Sequence, residues 1–234
     1  RLSQLAAESE IGLSRYAEAI VRLRILLNTL QDSQHESRRE FELRAQTSLA
    51  IAYMSTGRLD EAEDIVTSVY REYLRFPDSA GLGWAACNLG SISWVRGNLR
   101  EARRRFEEAS VSGERSGSEQ LKGMARRNLG ILYRQYCWWN QAQESFKESL
   151  QSWNELENPT VRAPAPRSIS LVFFKRGRLE EALESIEVSR QISREDGIDL
   201  CLGLAHMTKA LILIHSGEFS GGSLAIGEAE ETLR

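Results

Sequence analysis

The sequence predicts an all-α fold of about six antiparallel helix pairs, repeated as a single array over residues 1–234, and three observations predict it. Internal periods are sought before secondary structure. Gly57, Gly97, Gly177 and Gly217 fall on a lattice of period 40, since 97 − 57 and 217 − 177 are both 40, and Cys137 occupies the missing point. Alanine stands twelve residues before every lattice point, at Ala45, Ala85, Ala125, Ala165 and Ala205. Five residues after each point stands another small residue: Ala62, Ala102, Ala142, Ala182 and Gly222. The third observation is the spacing of apolar residues, which recurs with helical period and lacks the alternation of strands.

The elements follow in order. In the first repeat (about 1–40) SRYAEA at 14–19 is a loose copy of the turn text, displaced by 43 from its counterpart. The second (43–82) carries GRLDEA at 57–62. The third (83–122) is the most legible. Ala85, Ala86, Leu89, Ile92 and Ser93 make one helical stripe, which Gly97 ends as a C-terminal glycine does. Leu99, Ala102, Phe106 and Ala109 make a second stripe, and Arg100, Glu101, Arg103, Arg104, Glu107 and Glu108 cover its outer face. The run Arg103–Arg105 therefore reads as a salt-bridged surface, with nucleic-acid contact the alternative. Small residues where two helices cross let their axes approach to about 8 Å.

The fourth repeat (123–162) turns on CWWNQA at 137–142. Trp139 holds the place of Leu59, Leu99 and Leu179 and is expected in the core. Trp138 has no counterpart, and is either exposed at a partner contact or laid over the adjacent turn. The fifth (163–202) opens on an irregular stretch, Asn158 to Pro166, whose prolines exclude a helix interior. Its first helix should start near Pro166 and be short, giving a local offset or hinge. The sixth (203–234) carries GEFSGG at 217–222 and the strongly apolar run Ala210–Ile214. Solenoid ends need polar caps, so this end is expected to pack against further chain, a partner or a second copy.

Composition sets the class. The chain of 234 residues is 41% hydrophobic and 27% charged, with a formal net charge of −3. That is a globular composition with no electrostatic reason to bind nucleic acid or an anionic membrane. No apolar run approaches the roughly 18 residues a membrane span needs. Three widely spaced cysteines, Cys87, Cys137 and Cys201, fit a reducing compartment, hence the cytoplasm. The opening residue is Arg1 and no signal-peptide pattern follows, so the chain reads as a piece of a longer protein.

Asn-Leu-Gly at 88–90 and 128–130, Tyr133, the turn glycines, Ala102 or Ala142, and Phe106 or Phe146 resemble the tetratricopeptide repeat. The resemblance covers roughly residues 1–234, is strong over 43–155 and is weaker at both ends. The family's common period is 34, whereas a period of 40 is similar to the repeats of kinesin light chains, of Leu-Gly-Asn spindle adaptors, and of bacterial signalling ATPases and activators. The frequent tryptophan of the first helix is replaced by Gln46, Ala86, Arg126, Pro166 and His206. The resemblance implies a right-handed α-α superhelix with its concave wall lined by first helices.

It also implies which side chains face inward. These are Arg44, Thr47, Ser48, Ile51, Met54 and Ser55 in the second repeat, then Trp84, Cys87, Asn88, Ser91, Trp94 and Val95. Next come Met124, Arg127, Asn128, Ile131, Arg134 and Gln135, then Pro164, Arg167, Ser168, Leu171, Phe174 and Lys175. The last are Leu204, Met207, Thr208, Leu211, Ile214 and His215. Among them the cations are Arg44, Arg127, Arg134, Arg167 and Lys175, with no Asp or Glu. Guanidinium forks beside aromatic rings suit carboxylate-bearing peptides, and asparagine both donates to and accepts from a peptide group. The candidate binding residues are accordingly Trp84, Asn88, Trp94, Arg127, Asn128, Arg134, Arg167, Phe174 and Lys175. The alternative is that the arginines solvate the groove and the asparagines bond neighbouring helices.

Catalytic and metal motifs are absent from the sequence. His35 lacks a second histidine four residues on, and His206 and His215 are too far apart to share a metal on one face. There is no Cys-x-x-Cys, phosphate-cradling glycine loop or Gly-x-Ser-x-Gly. The expected function is therefore a non-catalytic protein- or peptide-binding module of a larger signalling or regulatory protein, without cofactor or metal. The alternative is a small-molecule-sensing region of a bacterial transcription regulator, with Trp84 and Trp94 stacking on the ligand.

Overall fold

The computed structural model describes residues 2–12, 15–31, 38–156 and 162–234. Among them are twelve α-helices and no strand, so the all-α class is as expected. The first six are α1 (Leu2–Gly12), α2 (Tyr16–Gln31), α3 (Arg38–Ser55), α4 (Leu59–Tyr73), α5 (Ala80–Val95) and α6 (Leu99–Ser116). The rest are α7 (Glu119–Gln135), α8 (Trp139–Glu155), α9 (Pro164–Lys175), α10 (Leu179–Glu195), α11 (Asp199–His215) and α12 (Phe219–Thr232). Consecutive helices pack as six pairs, from α1 with α2 to α11 with α12. Two compact units hold them: Arg1–Ser116 with α1–α6, and Gly117–Arg234 with α7–α12. Within the first unit α3 lies against α1 and α5; within the second, α9 lies against α7 and α11. First helices of successive pairs are thus neighbours, and each unit presents a face made of them.

The small-residue lattice marks the helix crossings. Ala62, Ala102, Ala142 and Ala182 are fully buried, as are Ala45, Ala125 and Ala205. Glycines inside first helices receive large side chains from the partner helix. A Cβ on Gly90 would stand 2.7 Å from the Phe106 ring, and one on Gly130 would stand 2.7 Å from the Phe146 ring. Gly123 lies under Trp153, and Gly203, eighty residues on, lies under Leu233. Phe106, Phe146 and Trp153 are all buried. Each contributes roughly 1.5–3 kcal/mol of burial.

The turns explain the lattice itself. Gly57, Gly97, Gly177 and Gly217 have φ between +74° and +87°, a left-handed conformation that costs a side chain energy. The amide of the next residue then bonds back four positions before the glycine, as Arg58 N does to Tyr53 O at 2.9 Å. Cys137 makes the same turn, with Trp138 N donating to Tyr133 O at 2.9 Å, yet carries φ 58° with a Cβ. Cys137→Gly should therefore stabilise the protein. The relief of about 1–2 kcal/mol, less the extra freedom glycine has when unfolded, leaves a gain of about 0.5–1 kcal/mol. Thermal denaturation checks it, and a lower melting temperature would show that the thiol contributes more than the turn costs. Gly117 and Gly197, at φ 66° and 65°, end second helices by the same device, midway between points of the 40-residue lattice.

The fifth pair begins as expected, with a small shift. Its first helix α9 has 12 residues against 17 in α7 and α11. It starts at Pro164, two residues earlier than expected, because Pro164 and Pro166 fit the first turn, whose N–H groups have no helical acceptor. Residues 157–161 of the irregular stretch, including Pro159, lie outside the described residues, as does His35.

Candidate functional site

The second unit brings cations together on its first-helix face. Arg127 and Arg134 stand two turns apart on one side of α7. Arg167 holds the place of Arg127 on the adjacent α9. Burial holds the Arg134 guanidinium below its ordinary pKa, and the positive charge of Arg167 adds to the effect. Arg167 is lowered by burial in the same way. No carboxylate pairs with Arg134 or Arg167 among the described residues. Cys201 on α11 is close enough to feel both Arg167 and Arg127. Three arginines from two helices therefore share one neighbourhood, two of them half-buried and without a counter-charge.

The rest of this face is amide and aromatic. Asn128 is half-buried beside Arg127. Phe174 meets the His215 ring edge-on, with centroids 5.2 Å apart, and the exposed Lys175 ammonium lies 5.7 Å from the Phe174 centroid. Cys201 is not a ready nucleophile, because burial pushes its thiol up despite the arginines. His206 is a packed histidine, with Nδ1 2.8 Å from Glu228.

The first unit differs in charge. Trp84, Asn88 and Trp94 project from α5, each half-buried. The Asn88 Nδ2 is shut off from solvent and has no hydrogen-bond partner. A cavity of about 450 Å³ lies on this face, lined by Glu8, Glu40, Arg44, Thr47, Ser48, Tyr73, Ser79, Gly81 and Trp84. The expectation of a wall with cations and no acid is therefore corrected here. Glu8 comes from the loosely repeated first pair, outside the inward census, and Glu40 lies one turn before Arg44. Ser48, Cys87 and Thr208, expected to face inward, are buried instead.

Other expectations resolve plainly. Arg103, Arg104 and Arg105 pair with Glu107, Glu101 and Glu101 at 3.4, 2.6 and 2.8 Å. Hydrogen bonds from Arg104 and then Arg105 hold the Glu101 carboxyl down to about 2, against the opposing effect of burial. Trp138 stacks on Tyr133 and Tyr136, at 5.8 and 5.0 Å between centroids, and stays 40% exposed. Trp139 packs half-buried against the cluster around Phe146. The apolar end of the last pair is at the surface, with Leu204, Met207, Leu211 and Ile214 between 37% and 49% exposed. Their counterparts on α7 and α9 are half-buried, because a following first helix lies beside each. No described helix is long and apolar enough to cross a membrane.

Residues 41–110 match the model of the tetratricopeptide repeat. No curated protein matches the sequence significantly. Among solved structures, BtubC (BKLC) from P. vanneervenii is 16% identical with a TM-score of 0.74, over 97% of this chain and 91% of that one. The putative kinesin light chain repeats of Podosopora anserina are 16% identical with a TM-score of 0.66, over 86% and 97%. The Rap conjugation gene regulator of the plasmid pLS20, solved with the Phr* peptide, is 14% identical with a TM-score of 0.73, over 98% and 72%. These likenesses establish the fold.

Proposed function

We propose that this chain, a tetratricopeptide-repeat-like protein built of helix pairs, is a non-catalytic protein- and peptide-binding module that takes an acidic peptide segment on the first-helix face of its second unit. One observation carries the reading. Arg134 and Arg167 are half-buried, repel each other and lack a carboxylate among the described residues. Unpaired charges held out of water cost stability, and a ligand carboxylate would relieve that cost. The site offers guanidinium forks, an amide and an aromatic ring, which are groups that hold a ligand, and no activated nucleophile. An exposed ion pair is worth about 0–1 kcal/mol, whereas a desolvated, charged hydrogen bond contributes about 1.5–3 kcal/mol. Partial burial of both arginines favours the second regime. The fold it shares with a regulator solved with a peptide agrees with this use. Three free cysteines agree with a reducing, cytoplasmic setting.

The test is fluorescence anisotropy with three labelled nonapeptides that share an aromatic anchor and carry Glu, Gln or Lys at the flanking positions. The Glu peptide should bind and weaken as salt rises. Replacing Arg127 and Arg167 together by Ala should weaken it at least tenfold, about 1.4 kcal/mol, with the melting temperature nearly unchanged. Equal binding of the Glu and Gln peptides, or of wild type and double variant, would refute the acidic-peptide reading.

A further inference from the structure

We infer that the cavity on the first unit is a second binding site, for a cationic side chain, either ammonium or guanidinium. It uses none of the arginines of the second unit and stands or falls separately from the reading above. The volume of about 450 Å³ is that of a small-molecule pocket and has room for a lysine or arginine side chain.

The charges select the sign of the ligand. Glu8 has no cationic partner among the described residues. It accepts hydrogen bonds from Gln4 Nε2 at 2.9 Å and from Ser48 Oγ at 3.4 Å, both neutral groups. Gln4 and Ser48 are only 4% and 7% exposed, so the carboxylate is held in place by buried side chains. An ionised carboxylate offers about four lone-pair sites, and these two donors leave it unsaturated. Arg44 does not neutralise it. Its guanidinium is 3.9 Å from Glu40, its side chain is 55% exposed, and Glu40 is the carboxylate it approaches. The cavity is thus lined by the half-buried Glu8 and the exposed Glu40 against one exposed cation, and Glu8 is the charge left without a partner among the described residues.

Its aromatic walls point the same way. Tyr73 and Trp84 are both half-buried. The Tyr73 ring is set by Gly81, where a Cβ would come within 2.7 Å of Cε2, so only glycine leaves the ring its place. Faces of tryptophan and tyrosine attract cations through their quadrupoles. An anion would meet Glu8 and Glu40; a neutral ligand would leave the Glu8 charge unmatched.

The experiment follows the Trp84 indole N–H resonance of the full chain by NMR while N-acetyl-arginine methylamide is added. The citrulline analogue, isosteric and neutral, and N-acetyl-glutamate methylamide are the controls. The arginine probe should shift the Trp84 resonance saturably and the controls should not. Glu8→Gln should weaken the arginine probe at least fivefold. Arg44→Gln, at an exposed position, removes the competing cation and should tighten it at least twofold, which keeps the test decisive if the Glu8 variant does not fold. Binding of citrulline as tight as that of arginine, an unchanged Glu8→Gln, or weaker binding by Arg44→Gln would overturn the assignment.

Discussion

Gly123→Ala is expected to destabilise the protein by about 2–3 kcal/mol, although alanine is the better helix former by about 1 kcal/mol. The new Cβ would stand 2.6 Å from Trp153 Cδ1, well inside contact distance. Trp153 is 1% exposed and has no solvent-side space to swing into. The backbone has little freedom either, since Ser149 Oγ donates to the Gly123 carbonyl at 2.8 Å in a buried hydrogen bond. A methyl in that gap must displace an indole or separate α7 from α8, and close-packed interiors yield to neither cheaply. For a chain this size the loss is a fall of roughly 2–4 °C per kcal/mol in thermal unfolding. Gly227, inside α12, supplies the control. Nothing lies within 4 Å of its Cβ position, so Gly227→Ala should stabilise by up to about 1 kcal/mol. The same change with opposite signs separates crowding from propensity. Trp153→Leu should remove most of the cost of Gly123→Ala, a coupling that a double-mutant cycle reads. Additive effects would show that the crowding lies elsewhere.

That glycine illustrates where the sequence stops being legible. The turn glycines and crossing alanines recur at 40 and are read directly, because each repeat faces the same local demand for φ > 0 or for close approach. Gly123 and Trp153 face a demand of shape, thirty residues apart. Its echo at Gly203 and Leu233 changes the large partner, so no single residue type repeats. The inward positions that the resemblance implies put Arg127, Arg134 and Arg167 on one face, since neighbouring first helices carry equivalent positions. The same census missed Glu8 because it was not carried into the first repeat, whose turn is displaced by 43 rather than 40, and it missed Glu40 because that residue lies one turn before Arg44, the first inward position counted on α3. It also placed Ser48, Cys87 and Thr208 on the face when they are buried. A census of positions does not weigh side-chain length, and these three side chains are short. The division at Ser116 and Gly117 left no mark in the lattice either, because the period runs on across it.

The other large effect is expected at the cationic face, where stability and binding should move in opposite directions. Arg134→Met with Arg167→Met should raise the stability of the free protein by about 0.5–2 kcal/mol, the usual gain when a functional compromise is removed. Methionine keeps the apolar stem, so the packing an arginine contributes is retained. Alanine deletes it, so Arg127→Ala with Arg167→Ala is expected to leave stability nearly level rather than raise it. The sign follows from linkage. Both guanidinium groups have folded pKa values below the ordinary arginine value, through burial first and, for Arg134, the Arg167 charge second. A cation depressed on folding lowers stability wherever it is charged, and arginine stays charged through the neutral range. The gain should therefore be flat between about pH 6 and 9, outside the alkaline window in which arginine titrates. Binding of the Glu peptide should meanwhile fall at least a hundredfold. Two desolvated charged hydrogen bonds at about 1.5–3 kcal/mol each are removed, and a hundredfold requires only about 2.8 kcal/mol. Arg134→Lys with Arg167→Lys keeps both charges but loses the paired donors, so it should bind between the two extremes. Urea denaturation and anisotropy on the same samples decide the matter. A methionine variant that is less stable would make these arginines part of the framework. One that is more stable and still binds would leave their uncompensated charge without a ligand to explain it.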